Sequence, residues 1–279
     1  MTENLFMHYF IDFIITKRCN LNCKYCTSRA SICSHDCEYN FEQFKQDVDH
    51  LFAVGMDFTP VIIGGEPFCN SRIFDYIEYI RSKDSKIPIA IFTNGKYLST
   101  ADDLIYARLH ALNVSVWITI YNLAGINYST ILQKCTKHVV AYRLNHYNEN
   151  IAAKCIGRPV VRDCMGIYKL CEHELTDTDG RRRKCMTGGT DDRPICIRAF
   201  NGILYYAACL PMLKDIDEKF NTQYESKSIE NIDYVRIANI AKPEITFKTV
   251  EFCRKHCVYC GTASWSKSER QREEFLYEP

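Results

Sequence analysis

The chain has no apolar run near the ~20 residues that a membrane span requires. Its first ten residues, MTENLFMHYF, lack a basic stretch leading into an apolar one, so no secretory signal is expected. Charge of one sign is not in excess. Lys plus Arg number 35 against 34 Asp plus Glu, and a net charge of +1 argues against a large nucleic-acid footprint. There is no low-complexity segment. A composition 47% hydrophobic and 25% charged excludes a disordered chain. At 279 residues the expectation is one large domain or two small ones. Folding takes the exposed surface from roughly 47,000 to roughly 12,000 Å², so the core needs no covalent staple. These absences lead to an expectation of a cytoplasmic protein with no membrane and no nucleic-acid partner.

What the chain has in quantity is cysteine, 16 of 279 residues. That is below the roughly 8–10% of a short disulfide scaffold. In a reducing compartment, clustered cysteines mean metal or catalysis more often than disulfides. Two clusters share one spacing: Cys19, Cys23, Cys26 and Cys253, Cys257, Cys260.

Between the clusters, apolar runs alternate with helical patterns. Residues 10–16, 60–63, 87–92 and 114–120 read as strands, with a fifth expected near 138–142. A helix should start at Asn40, with Gln43 placed for a capping box. Further helices are expected after Ser71, from Thr100 with Asp103 through Leu112, and near 126–137. Strand and helix alternating every 25–30 residues or so mean βαβ units and a parallel sheet. Nearly continuous apolar strands fit a sheet covered on both faces. After about residue 150 the alternation fades. Residues 174–194, with Arg181 to Lys184, read as a polar loop or boundary. Residues 195–209 read as a β-hairpin turning at Asn201-Gly202. A helix is expected near 228–240.

Three thiolates at Cys19, Cys23 and Cys26, on a loop leaving a strand, can wrap one 4Fe–4S cube and leave one iron open. Zinc competes, with Cys33 or Cys37 as a fourth ligand. The context favours iron–sulfur. Gly64-Gly65-Glu66-Pro67 ends strand two, Thr93-Asn94-Gly95 ends strand three and Tyr121-Asn122 ends strand four. Parallel α/β folds bind ligands at these carboxyl ends. The sequence resembles the radical SAM superfamily. Cys19, Cys23 and Cys26 match its CxxxCxxC motif, with Tyr25 before the last cysteine, and Gly64 to Pro67 match its GGEP motif. The resemblance covers roughly residues 10–145. It implies a partial (β/α) barrel of parallel strands, a 4Fe–4S cluster and S-adenosylmethionine (SAM) bound at the open iron. It also implies a one-electron donor such as flavodoxin or ferredoxin. Gly64 and Gly65 would let the backbone approach the methionine end of SAM, and Glu66 would accept from its ammonium. Tyr25 would pack on adenine. Asn94, Thr119 and Asn122, with Thr93, would lie near the ribose.

The C-terminal cysteines resemble the smaller twitch or SPASM auxiliary-cluster modules of that superfamily. Cys196, Cys209, Cys257 and Cys260 would bind a second 4Fe–4S cluster, with Cys185 and Cys253 as rival ligands and zinc as the alternative metal. The expected organisation is therefore a core over 1–173 and an auxiliary domain over 174–279. The expected function is reductive cleavage of SAM, followed by hydrogen abstraction from a small polar metabolite (a sugar, amino sugar or nucleoside). The outcome would be oxidation or epimerisation. Only about nine residues precede strand one, so a leader-peptide-binding domain is not expected, although a ribosomal peptide remains the alternative substrate. A non-catalytic iron–sulfur or zinc protein is the alternative of another class.

Overall fold

The computed structural model describes residues 8–21, 28, 30, 33, 37–121, 125–146, 195–205, 210–220, 225, 230, 234–243 and 245. Eight strands form one sheet. β1 (Tyr9–Thr16), β2 (Phe58–Gly64), β3 (Ile89–Thr93), β4 (Val114–Ile120) and β5 (Tyr142–His146) are joined by helices. These are α1 (Phe41–Ala53), α2 (Ile73–Lys83), α3 (Lys96–Thr100), α4 (Asp103–Ala111) and α5 (Tyr128–Lys137). β6 (Ile195–Phe200), β7 (Ile203–Tyr205), α6 (Leu213–Phe220) and β8 (Tyr234–Arg236) follow. The strand order is β5-β4-β3-β2-β1-β6-β7-β8. All pairings from β5 through β6 are parallel, and only β6–β7 and β7–β8 are antiparallel. This is the mostly parallel α/β sheet of a partial barrel, as the sequence led us to expect.

Strand alternation divides the side chains between two faces. Tyr9, Ile11, Phe13 and Ile15 of β1 all lie on one face and are fully buried. Helices cover that face. The rings of Phe13 and Phe44 of α1 meet at 5.3 Å, and those of Phe44 and Tyr76 of α2 at 4.7 Å. Each such side chain contributes about 1.5–3 kcal/mol of burial. Asn40 caps α1 by accepting from the Gln43 backbone N–H, as the capping pattern predicts.

Some boundaries differ from the sequence reading. Asp102, not Thr100, caps α4, because α3 takes Thr100 into its own last turn. β5 begins at Tyr142, since His138 and Val139 complete the end of α5. The helix expected near 228–240 is absent over 234–239. There, Tyr234–Arg236 pairs with β7, and a short 3-10 turn follows. Ladder hydrogen bonds on an available strand edge override the helical periodicity of so short a segment.

The hairpin at Asn201-Gly202 forms as expected, with both residues at positive φ. Its strands continue the core sheet, β6 lying parallel to β1. Its turn is fastened to α1: the Asn201 side chain accepts from the Asn40 backbone, and the Gly202 N–H donates to Asp47 at 2.8 Å. Lys17, just past β1, meets Asp215 of α6 at 3.3 Å with both side chains buried. The 173/174 boundary lies outside the described residues. Among the described residues no helix is long and apolar enough to cross a membrane.

Candidate active site at the carboxyl ends of the strands

The ends of β1 and β2 are laced together by backbone, and the end of β3 joins them through the Glu66 side chain. Beyond the strands, the Gly65 N–H donates to the Thr16 carbonyl at 2.9 Å and the Glu66 N–H to the Arg18 carbonyl at 2.8 Å. A Cβ on Gly64 would lie 2.0 Å from the Thr16 oxygen, and one on Gly65 would lie 2.3 Å from the Arg18 oxygen. The two glycines are thus required by the chain that leads into Cys19. The sequence reading assigns their smallness to an approaching ligand; the structure adds a further reason, the approach of this protein's own backbone.

Glu66 is 1% exposed. It accepts from the Thr93 hydroxyl at 2.7 Å, the Asn94 N–H at 2.8 Å and the Phe68 N–H at 3.3 Å. Burial raises its carboxyl to about 7, with those donors pulling it back. Three of the roughly four lone-pair sites of a carboxylate are thus used within the protein. Glu66 braces the end of β2 against the end of β3.

The loop carrying Cys19 docks on that brace. Asn94 donates from Nδ2 to the Asn20 side chain at 2.8 Å and lies 4.0 Å from Cys19 Sγ. Lys96 reaches the Asn20 carbonyl, and the Leu21 N–H donates to Cys19 Sγ at 3.4 Å. Tyr128 ties the neighbouring strand end in, accepting from the Tyr121 N–H and donating to the Asn94 carbonyl. Cys19, Gly64, Gly65, Glu66, Thr93 and Asn94 therefore meet at one end of the sheet.

That order of motifs on that fold has a counterpart among known families. The model of the Radical SAM superfamily matches residues 13–131. Over these residues the chain is similar to the radical SAM superfamily. The chain is 35% identical over 110 residues to the GTP 3',8-cyclase of Alkaliphilus oremlandii (strain OhILAs), covering 38% of this chain and 34% of the relative. It is 26% identical over 113 residues to the S-adenosylmethionine-dependent nucleotide dehydratase of Selenomonas ruminantium, covering 39% of each. The matched region spans about a third of the length of these curated relatives. Among solved structures, BtrN in complex with AdoMet and 2-DOIA aligns with a TM-score of 0.51 at 11% identity, over 96% of this chain and 88% of that one, a likeness of fold.

The cofactors of a radical SAM segment are a 4Fe–4S cluster and SAM. The residues present fit them. Cys19 is partly exposed at the strand end with N–H groups aimed at its sulfur, the donors that stabilise a ligating thiolate. Cys33 and Cys37 are joined to each other in a disulfide. That overturns the reading in which one of them completes a zinc site.

Cys23, Tyr25, Cys26, Asn122, Cys209, Cys257 and Cys260 lie outside the described residues, as do Cys185 and Cys253. Cys196 is placed by its backbone in β6, opposite Phe10 of β1. Thr119 sits near the end of β4, opposite Asn145. Asn20 and Tyr128 were missed by the sequence reading. Asn20 could have been suspected because it lies inside the cysteine motif. Nothing local marks Tyr128, seven residues past the Tyr121 N–H that it anchors. Cys69 is a free thiol half-buried on the same side, pushed up by burial and by the nearby Glu66, and so held protonated. Cys135 is fully buried in the core.

Proposed function

We propose that this chain is a radical SAM enzyme acting on a small polar metabolite, and that of the expected classes the nucleoside is favoured, carried as a nucleotide. When bound, the cluster and SAM supply a 5′-deoxyadenosyl radical that takes a hydrogen atom from the substrate. Cys19, Cys23 and Cys26 would hold the cluster. Gly65 and Asn94 would line the methionine and ribose ends of SAM, with Tyr25, Thr119 and Asn122 completing its surroundings. Glu66 would fix the Thr93-Asn94 turn and keep one acceptor site toward the ammonium. The observation that carries this reading is that the backbone hydrogen bonds from Gly65 to Thr16 and from Glu66 to Arg18 hold the Gly64-Gly65-Glu66 turn against the chain leading into Cys19. The nucleotide preference rests on the names of the relatives, a GTP cyclase and a nucleotide dehydratase.

The test is anaerobic reconstitution with iron and sulfide, followed by dithionite and SAM. Formation of 5′-deoxyadenosine supports the reading; tight zinc with no turnover of SAM overturns it. We also propose a second 4Fe–4S cluster at Cys196, Cys209, Cys257 and Cys260 in an auxiliary domain over 174–279. Iron counting separates the cases, about eight irons per chain for two cubes and about four for one. Replacement of a one-electron donor such as flavodoxin by dithionite should sustain turnover.

A further inference from the structure

The face of the sheet turned away from the helices carries an unusual set of side chains. Register places them together. Asp12 of β1 lies opposite Arg198 of β6, and Phe92 of β3 opposite Trp117 of β4. Trp117 in turn lies opposite Arg143 of β5, and Thr119 opposite Asn145. The rings of Phe10 and Phe92 meet Trp117 edge-on at 6.1 and 4.9 Å. The Arg143 guanidinium lies 5.3 Å from the Trp117 ring and has no ion pair among the described residues.

Two polar groups on this face are under-used. Asp12 has a largely buried carboxylate whose one charged neighbour, Arg198, stands 3.7 Å away, beyond hydrogen-bond distance. No hydrogen bond to it is found among the described residues. Arg198 donates instead to Ser28, in the segment that follows Cys19. Asn145 Nδ2 is buried with no hydrogen-bond partner. Buried polar groups are normally satisfied, and an exception needs a reason. By strand rise, Asp12 and Trp117 lie about 10–13 Å below the strand ends where Cys19 and Glu66 converge. That is within one extended small molecule of the SAM site.

We propose that Asp12, Trp117, Arg143 and Asn145 form the substrate-reading surface of this enzyme, and that its ligand is a phosphate-bearing molecule with a planar nitrogen heterocycle. The inference rests on the reading of function above and names the residues that select the substrate. The planar ring stacks on or beside Trp117, an interaction worth about 1–3 kcal/mol per base in other proteins. Arg143 takes the phosphate through its guanidinium fork. Asp12 accepts from ring or exocyclic N–H groups, and Asn145 donates to a ring acceptor or carbonyl.

The experiment uses the full chain, anaerobically reconstituted, with GTP, guanosine and inorganic triphosphate as probes. Equilibrium dialysis gives the affinities. A Trp265→Phe background leaves Trp117 as the one tryptophan, so its emission reports contact. GTP should bind and change that emission. Arg143→Ala should weaken GTP at least ten-fold, Arg143→Lys should restore part of it, and guanosine should be indifferent to either. Asp12→Asn should weaken GTP and guanosine but not triphosphate. Absent GTP binding, binding that leaves Trp117 unaltered, or equal affinity in Arg143→Ala would overturn the proposal. Cleavage of SAM by the wild-type protein is scored separately. If SAM is cleaved and GTP is not bound, this surface fails alone. If GTP binds as described and SAM is not cleaved, the functional reading fails and the surface stands.

Discussion

The two faces of the sheet are built from the same strands yet obey different rules. On the helix-covered face, Tyr9, Ile11, Phe13 and Ile15 are wholly excluded from water. On the other, β1 presents Phe10 and Asp12, partly accessible, with Trp117 and Arg143 on neighbouring strands. The covered face is a packed core, where side chains are chosen by volume and apolarity. The open face holds a carboxylate, two guanidinium groups and an unpartnered amide. A protein interested only in stability would not retain these, because polar groups half out of water are costly without partners. One face therefore holds the fold, and the other carries the substrate-reading surface proposed above. The carboxyl edge, with Cys19 and Glu66, is where the two meet.

The largest effect should come from that edge. Combined replacement of Cys19, Cys23 and Cys26 by Ala should abolish 5′-deoxyadenosine formation while the sheet stays folded; undiminished product by chromatography would break the functional reading. Next, Gly65→Ala introduces a Cβ into the Arg18 carbonyl at 2.3 Å. It should cost more than about 2 kcal/mol or displace the cysteine loop. Urea unfolding and bound iron per chain distinguish these two outcomes. The faces themselves are compared by Phe13→Ala against Phe10→Ala. The first removes a fully buried ring and should cost about 3–5 kcal/mol. The second should cost about 1 kcal/mol, since Phe10 is already partly accessible. Equal losses in urea titrations would mean the open face is core after all.

Much of the fold was legible because the strands and helices have strong periodic patterns and ordinary caps, as at Asn40 with Gln43. The site was legible where motifs are contiguous: Cys19 in its triplet and Glu66 after two glycines. What escaped notice depends on register. Asp12, Trp117 and the Arg143/Asn145 pair lie on three strands far apart in sequence, and only strand pairing puts them on one face. Asp12 did leave a sign, a carboxylate in the middle of the apolar run FIDFIIT. Its apolar neighbours mask that sign, since nearly continuous apolar runs fit strands covered on both sides. A second demand on the glycines was hidden too, because the sequence does not say that the chain approaching Gly65 comes from Arg18. The hairpin was found by its Asn-Gly turn, but its attachment to β1 could not be, since parallel pairing across about 180 residues has no local signature.

The smallest effect concerns pH. Glu66 has its carboxyl raised from 4.5 to about 7 by burial. An acid raised on folding binds its proton more tightly in the folded state. Below about pH 4.5 both states are protonated, and the group contributes nothing to the pH dependence. Between 4.5 and 7 the unfolded chain ionises first, so stability falls as pH rises. Above 7 the folded carboxyl is ionised too, and the loss levels off. Linkage gives a decline of about 2 kcal/mol between pH 5 and pH 7. Asp12, raised from 3.8 to about 6 with Arg198 opposing, adds a decline of the same sign over a lower window. The measurement is urea unfolding at half-unit pH steps, in the absence of SAM. Glu66→Gln should flatten the upper part of the curve, and Asp12→Asn the lower part. If Glu66→Gln leaves the slope between pH 5 and 7 unaltered, Glu66 is ionised through this range in the folded protein. It would then act as a carboxylate on the Thr93 and Asn94 donors, and the edge of the sheet would carry a fixed negative charge where the faces meet.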